Sequence, residues 1–198
     1  SASHTPVLFL QQPNGEFSSA ELYPQDDKVS RLREEAAIAV LDVDNDGDLD
    51  LVMISGGGDY KAPTSAFDHV LLLNDGSANF SPNEQLMPAL NFNGSSAVAA
   101  ADFNNDGRTD LFIGGGVLPG EYPLSSRSIL LMNTAQGMVD VTETYLSELG
   151  DLSMLKDAKW VDINNDGLLD LVLAAHFQAI KIFLNNANGP FSLMKSSL

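Results

Sequence analysis

The sequence predicts an all-β protein of propeller-type repeats, about three four-stranded blades plus an extra N-terminal hairpin, which makes a partial propeller. Three observations carry this. An Asp-rich nine-residue motif recurs every sixty residues, each copy lies between short apolar runs, and further apolar runs ending in Asn- or Gly-bearing turns fill the intervals.

The motif reads Asp42-Val-Asp44-Asn-Asp46-Gly47-Asp48-Leu-Asp50, then Asp102-Phe-Asn104-Asn-Asp106-Gly107-Arg108-Thr-Asp110, then Asp162-Ile-Asn164-Asn-Asp166-Gly167-Leu168-Leu-Asp170. Small and apolar residues precede each copy at 36–41, 96–101 and 158–161, and apolar residues follow at 51–54, 111–113 and 171–173. Runs this short, bounded by Gly and Asp, read as buried strands. Each copy is therefore a strand, an Asp loop and a second strand.

Between the loops a second pattern repeats. Apolar runs at 7–10, 70–73, 129–132 and 180–184 lead through Asn14-Gly15, Asn74-Asp75-Gly76, Gln136-Gly137 and Asn188-Gly189 to Phe17, Phe80, Val139 and Phe191. Asn and Gly tolerate positive φ, so these are hairpin turns. The chain then reads as a single repeat domain over 1–198: the N-terminal hairpin of an incomplete blade at 5–18, and blades at 34–90, 95–145 and 156–196. Propellers typically close with at least four blades; further blades or self-association would complete the ring. Gly-, Pro- and Ser-rich stretches at 56–67, 82–94 and 114–126 read as surface loops. Helical turns are expected at 29–39 and 145–155.

Composition narrows the function. The chain carries 27 Asp plus Glu against 10 Lys plus Arg, a net charge of −17. Such a surface repels phosphate backbones and anionic headgroups, which argues against nucleic acid. Eleven of the acidic residues are the aspartates of the three motifs, and crowding of that kind calls for a counter-ion. With no cysteine, thiolate metal sites are excluded. No apolar run approaches the roughly 20 residues that span a bilayer, so membrane insertion is not expected, and residues 1–6 do not read as a signal peptide.

Calcium takes six to eight oxygen ligands in flexible geometry, and a tight loop with carboxylates at alternate positions supplies them. In the first loop Asp42, Asp44, Asp46 and Asp50 are expected to ligate through side chains and Asp48 through its carbonyl, with Gly47 allowing the turn. The second loop offers Asp102, Asn104, Asp106, the Arg108 carbonyl and Asp110; the third offers Asp162, Asn164, Asp166, the Leu168 carbonyl and Asp170. About three Ca2+ sites are expected. An EF-hand needs a Glu at the twelfth position and flanking helices, whereas Met53, Ile113 and Leu173 stand there. Magnesium fits less well because it demands near-octahedral geometry. The competing reading is that Asp-Asn-Gly runs simply form Asx turns.

These motifs resemble the FG-GAP and VCBS repeats of integrin α-subunit propellers and of secreted bacterial proteins. The resemblance runs from Val7 to Phe191. It is carried by Leu72-Leu-Asn-Asp-Gly76, Ala100-Ala-Asp-Phe-Asn-Asn-Asp-Gly107, Asp110-Leu-Phe-Ile-Gly-Gly-Gly116 and Trp160-Val-Asp-Ile-Asn-Asn-Asp-Gly167. It implies a calcium-stabilised scaffold, extracellular, at the cell surface or periplasmic, serving adhesion or the binding of a protein or carbohydrate ligand. Family members usually close with six or seven blades.

No catalytic constellation is recognisable. His4 reads as tail, His69 as a strand-edge residue and His176 as a residue ending the strand after the third loop. Trp160 reads as core. The glycine triplets at 56–58 and 114–116 lack a following Lys-Ser or Lys-Thr, so they read as close backbone approaches rather than a phosphate cradle. Two alternatives to a non-catalytic module are a polysaccharide hydrolase or lyase, drawing on Glu121, Glu143 or Glu148, and a lectin-like module stacking sugars on Tyr60 and Tyr122.

Overall fold

A computed structural model describes residues 6–22, 34–57, 67–88, 94–150, 152–187 and 189–195. The expectations for His4 and Tyr60, the start of the helical turn at 29–39, and Asn188 lie outside the described residues.

The architecture is all-β, as expected. A two-stranded hairpin, β1 (Val7–Gln11) and β2 (Phe17–Glu21), comes first. Three four-stranded antiparallel meanders follow. The first holds β3 (Glu35–Leu41), β4 (Asp50–Ser55), β5 (Val70–Asn74) and β6 (Phe80–Pro82). The second holds β7 (Ser95–Ala101), β8 (Asp110–Gly115), β9 (Ile129–Thr134) and β10 (Gly137–Asp140). The third holds β11 (Leu155–Val161), β12 (Asp170–Ala175), β13 (Lys181–Leu184) and β14 (Ser192–Leu193).

Registers repeat with the sequence. Leu41 pairs with Asp50, Ala101 with Asp110 and Val161 with Asp170, so each Asp loop joins the first and second strands of its sheet. Each first strand also has an irregularity at the same place, Glu35/Ala37, Ser95/Ala97 and Leu155/Asp157.

The sheets stack face to face. One core lies between the first and second sheets, with Leu41, Val52, Ile54 and Leu71 meeting Leu111, Ile113, Ile129 and Leu131. A second lies between the second and third, with Phe103, Phe112 and Leu130 meeting Leu171, Leu173, Phe183 and Phe191. A smaller one joins the hairpin to the first sheet through Leu8, Met53, Val70 and Leu72. Alternate residues of a strand point to opposite faces. Each internal sheet therefore turns one apolar set to the preceding unit and the other to the following one.

Trp160 takes its expected core place. Its ring lies 5.9 Å from that of Phe103 at an interplanar angle of 9°, and its Nε1 donates to the Ala99 carbonyl at 3.2 Å. The glycines behave as close approaches: a Cβ on Gly56 would lie 2.5 Å from the Ser95 carbonyl oxygen, and one on Gly115 would collide with that of Ser126.

Four expectations need correction. The described part of the helical turn at 29–39 is strand from Glu35, because pairing with β4 overrides the local charge pattern. The helix expected at 145–155 is α1 (Thr142–Tyr145), a single turn ending where it was expected to begin. Leu146, Leu149 and Leu152 then bury against the core between the second and third sheets as turns rather than helix. The third inner strand starts at Leu155, not 158: Leu155 pairs with Ala175, and the polar Lys156 and Asp157 are exposed at the register irregularity that follows it. Finally, the loop at 114–126 still contains the end of β8 and a bridge between Val117 and Ser125.

Candidate metal loops

The three Asp loops have one backbone design. Asn45, Asn105 and Asn165 adopt φ of 64°, 58° and 61°, followed two residues on by Gly47, Gly107 and Gly167 at 97°, 86° and 87°. Asn is among the few side-chain-bearing residues that accept the left-handed region readily, and Gly enters it at no steric cost. These two positions curl the chain so that later amides point back at its start.

The first aspartate of each loop receives them. Asp42 accepts from the backbone N–H of Asp46 at 3.1 Å and of Gly47 at 3.0 Å. Asp102 accepts from Asp106 at 3.0 Å and Gly107 at 2.8 Å, and Asp162 from Asp166 at 3.1 Å and Gly167 at 2.9 Å. The fifth-position carboxylates accept the N–H two residues on: Asp46 from Asp48, Asp106 from Arg108 and Asp166 from Leu168.

The ninth-position aspartates are different. Asp50, Asp110 and Asp170 are buried, and each uses both oxygens on backbone amides. Oδ2 of each accepts from the second loop residue: Val43 at 2.8 Å, Phe103 at 3.2 Å and Ile163 at 3.0 Å. Oδ1 accepts from the end of the third strand: Asn74 at 2.9 Å, Asn133 at 2.7 Å and Asn185 at 2.8 Å. One carboxylate thus ties the loop, the second strand and the third strand together.

Those three asparagines are a recurrent element; of them only Asn74 was expected, and as a turn residue. Asn133 Nδ2 donates to the Val43 carbonyl at 2.9 Å, and Asn185 Nδ2 to the Phe103 carbonyl at 2.8 Å. Each hydrogen bond runs from one sheet to the Asp loop of the sheet before it. Asn74, in the first sheet, donates instead to Leu49 of its own loop at 3.1 Å. The signal was available, because an Asn closes the apolar run at 70–73, at 129–132 and at 180–184. His69 was likewise underread: the Ser55 N–H donates to its Nδ1 at 3.2 Å, and Ser95 Oγ of the second sheet lies 3.3 Å from its Nε2.

The loops differ in charge. In the first, carboxylate oxygens of Asp42, Asp44 and Asp50 converge within 4.8 Å of one another. Burial and the neighbouring Asp46 push the Asp44 carboxyl above its ordinary value, and burial does the same to Asp50 despite its amide partners. In the second and third loops Asn104 and Asn164 replace Asp44, and their Nδ2 groups donate to Asp106 at 3.0 Å and Asp166 at 2.8 Å. Burial pushes Asp110 up to about 7, against the pull of the Asn133 and Phe103 amides. A cation beside these groups would stabilise their charged forms. The donor set is all oxygen and mostly carboxylate, which fits a hard divalent cation. The Asp48, Arg108 and Leu168 carbonyls follow the curled backbone at the seventh position of each loop.

A protein-family model described as FG-GAP-like repeat matches residues 42–113, from the first aspartate of the first loop through the second loop and into β8. No curated protein matches the chain. Among the described residues no helix is long and apolar enough to cross a membrane.

Proposed function

We propose, from the premise that this chain carries FG-GAP-like repeats on a β-propeller-type scaffold, that its three Asp loops each hold a calcium ion. The ions stabilise a non-catalytic module for adhesion or ligand binding outside the cell. The observation that supports this best is the convergence of Asp42, Asp44 and Asp50 oxygens in a loop whose backbone is repeated twice. Asp44, Asp46 and Asp48 of the first loop would hold the ion together with Asp42 and Asp50. Asn104, Asp106 and Arg108 stand at the matching positions of the second loop, and Asn164, Asp166 and Leu168 at those of the third. The calcium is structural: it offsets carboxylate repulsion and locks strand to strand. The bound partner, protein or carbohydrate, is a matter of fold-level analogy.

Thermal unfolding with calcium and with excess chelator tests this. A site saturated at 100 times its Kd adds about 2.7 kcal/mol by mass action. In a chain of this size that raises Tm by roughly 5–10 °C per site. The first loop, with four side-chain carboxylates against three, fills first in a calcium titration followed by backbone NMR. An unchanged Tm would reduce the loops to Asx turns, and filling of the first loop last would overturn the ranking. The hydrolase reading gains nothing from Glu143, which sits in an ion pair with Arg127 at 3.6 Å.

A further inference from the structure

At the end of the second sheet opposite its Asp loop lies a cavity of about 430 Å³, within the size range of sites for small organic ligands. Its walls come from the connection that enters β9 and from α1 with the turns that follow it. They belong to the middle of the chain, whose sheet packs against a neighbour on each side. The three sheets build this position differently. Ile129 stands where the first and third sheets have Val70 and Lys181, as its pairing with Ile113 shows beside Met53 with Val70 and Leu173 with Lys181. Arg127 and Ser128 therefore replace Asp68 and His69 of the first sheet, and Ala179 and Ile180 of the third. The scaffold repeats, and this pair does not.

The polar groups of the lining are partly spent. Ser128 is 5% exposed, and its Oγ accepts the Gly115 N–H at 2.9 Å. A hydroxyl also has a proton to give, and among the described residues no acceptor takes it. Arg127 gives one N–H to Asp140 at 2.9 Å, and Glu143 stands 3.6 Å away, too far for a hydrogen bond. Most donors of that guanidinium are therefore unspent among the described residues. Ser125 Oγ donates to the Leu152 carbonyl at 2.6 Å, which ties the two walls together and leaves the oxygen able to accept. Ser147 is exposed, and its hydroxyl bonds to nothing among the described residues. Leu146, Leu149 and Leu152 supply the apolar part of the wall.

Interleaved donors and acceptors beside an apolar wall select the ligand. An anion is disfavoured, because Asp140 already neutralises Arg127, Glu143 adds a carboxylate and the chain carries a net charge of −17. A cation meets Arg127. An apolar molecule would strip water from the Ser128 and Arg127 donors and return no hydrogen bond. A neutral molecule whose hydroxyls each donate and accept satisfies all of them. We infer that this cavity binds a neutral saccharide. Arg127 and Ser128 donate to its oxygens, Glu143 and Ser125 accept from its hydroxyls, and its C–H face rests on the leucines. This rests on reading the chain as a ligand-binding module, to which it gives a site and a ligand class. Ser128 lies five residues before Asn133, the partner of Asp110, on the same run of chain. Along a strand that is about 17 Å, so the saccharide does not touch the metal loop.

An array of immobilised neutral, sialylated and sulfated glycans, probed with the calcium-loaded 198-residue chain, tests this. The strongest neutral hit is then titrated as the free saccharide and followed by backbone NMR. Neutral glycans should bind, with the largest amide shifts at Arg127, Ser128 and Ser147. Arg127→Ala should weaken binding about tenfold or more, the share of hydrogen bonds from a charged donor, and Ser147→Ala about fivefold, the share of one neutral bond. Both positions are exposed, and unchanged circular dichroism checks that the fold is kept. Tyr122→Ala, at an exposed residue outside the lining, leaves the affinity unchanged and separates the cavity from stacking on that ring. Silence on every neutral glycan, a preference for the acidic ones, or binding that survives Arg127→Ala would each overturn the inference. Silent glycans beside a full calcium response in thermal unfolding overturn the saccharide site alone; glycan binding with an unchanged Tm overturns the calcium loops alone.

Discussion

The two ends of each Asp loop hold the same residue in opposite surroundings. Asp42, Asp102 and Asp162 sit at the rim, and their partners are amides of their own loop. Asp50, Asp110 and Asp170 are buried, and their partners lie on both the loop and the third strand. A repeated acidic motif is therefore not uniformly a ligand set. Its last residue is a fastener of the sheet, and its middle residues, at the third and fifth positions, are exposed or half-exposed and bond only within the loop.

The strongest way to break that distinction is Asp110→Ala. It strips the Phe103 and Asn133 amides of their acceptor inside the protein, and each unsatisfied buried group costs about 1–3 kcal/mol. We expect a loss of about 3–5 kcal/mol in denaturant unfolding, with or without calcium. A loss under about 1 kcal/mol would mean that the ninth aspartate serves the metal alone.

Next in size is Asn185→Ala. Its amide links the third sheet to the buried Phe103 carbonyl of the second at 2.8 Å and also reaches Leu169 at 3.1 Å. Orphaning the Phe103 carbonyl costs about 1–3 kcal/mol. Hydrogen exchange should localise the loosening to the second and third sheets, leaving amides of the first protected.

The positions of these fasteners explain what could be read from the sequence. Hairpins and Asp loops were legible because Asn, Gly and Asp act locally, through φ and short-range hydrogen bonds. The strands flanking them were legible where burial on both faces made unbroken apolar runs, as in β4, β8 and β12. Legibility failed where partners are distant. Nothing in the spacing of Asp110 reveals that Asn133 lies against it, and the bond from Asn133 to Val43 crosses 90 residues. The Arg- and Glu-rich run before β3 suggested a helical turn because its local propensity is helical, yet pairing of Glu35 with Ser55 decides the matter.

Outside the loops, Arg127 provides a smaller test of how little a surface charge contributes here. It pairs with Asp140 at 2.9 Å, and its side chain is half exposed. Burial acts to raise the Asp140 carboxyl, but hydrogen bonds from Thr142 and the charge of Arg127 outweigh it and hold Asp140 below its ordinary value of 3.8. A lowered folded value means that this contribution is present at pH above the ordinary value and is lost as pH falls through the lowered one. Arg127→Ala should cost under about 1 kcal/mol at neutral pH. It should also move the Asp140 titration upward, read by carboxyl NMR; an unmoved titration would leave Thr142 as the sole cause.

The smallest effect on folding, and the one that most sharpens the comparison, belongs to Asp106→Asn. Asp106 is exposed, and its Oδ1 accepts from the Arg108 amide at 2.9 Å, a role an Asn oxygen can fill; only the solvent-exposed bond from Asn104 Nδ2 to Oδ2 is given up. Without calcium the variant should match the parent within about 0.5 kcal/mol, as surface substitutions usually do. With calcium it should lose the second loop's share of the stabilisation, because the loop's carboxylates fall from three to two. Paired with Asp110→Ala, the outcome separates the two ends of one nine-residue motif: one variant weakens the fold whatever the metal, the other only the response to it. Equal losses in chelator would show instead that the middle carboxylates also build the loop.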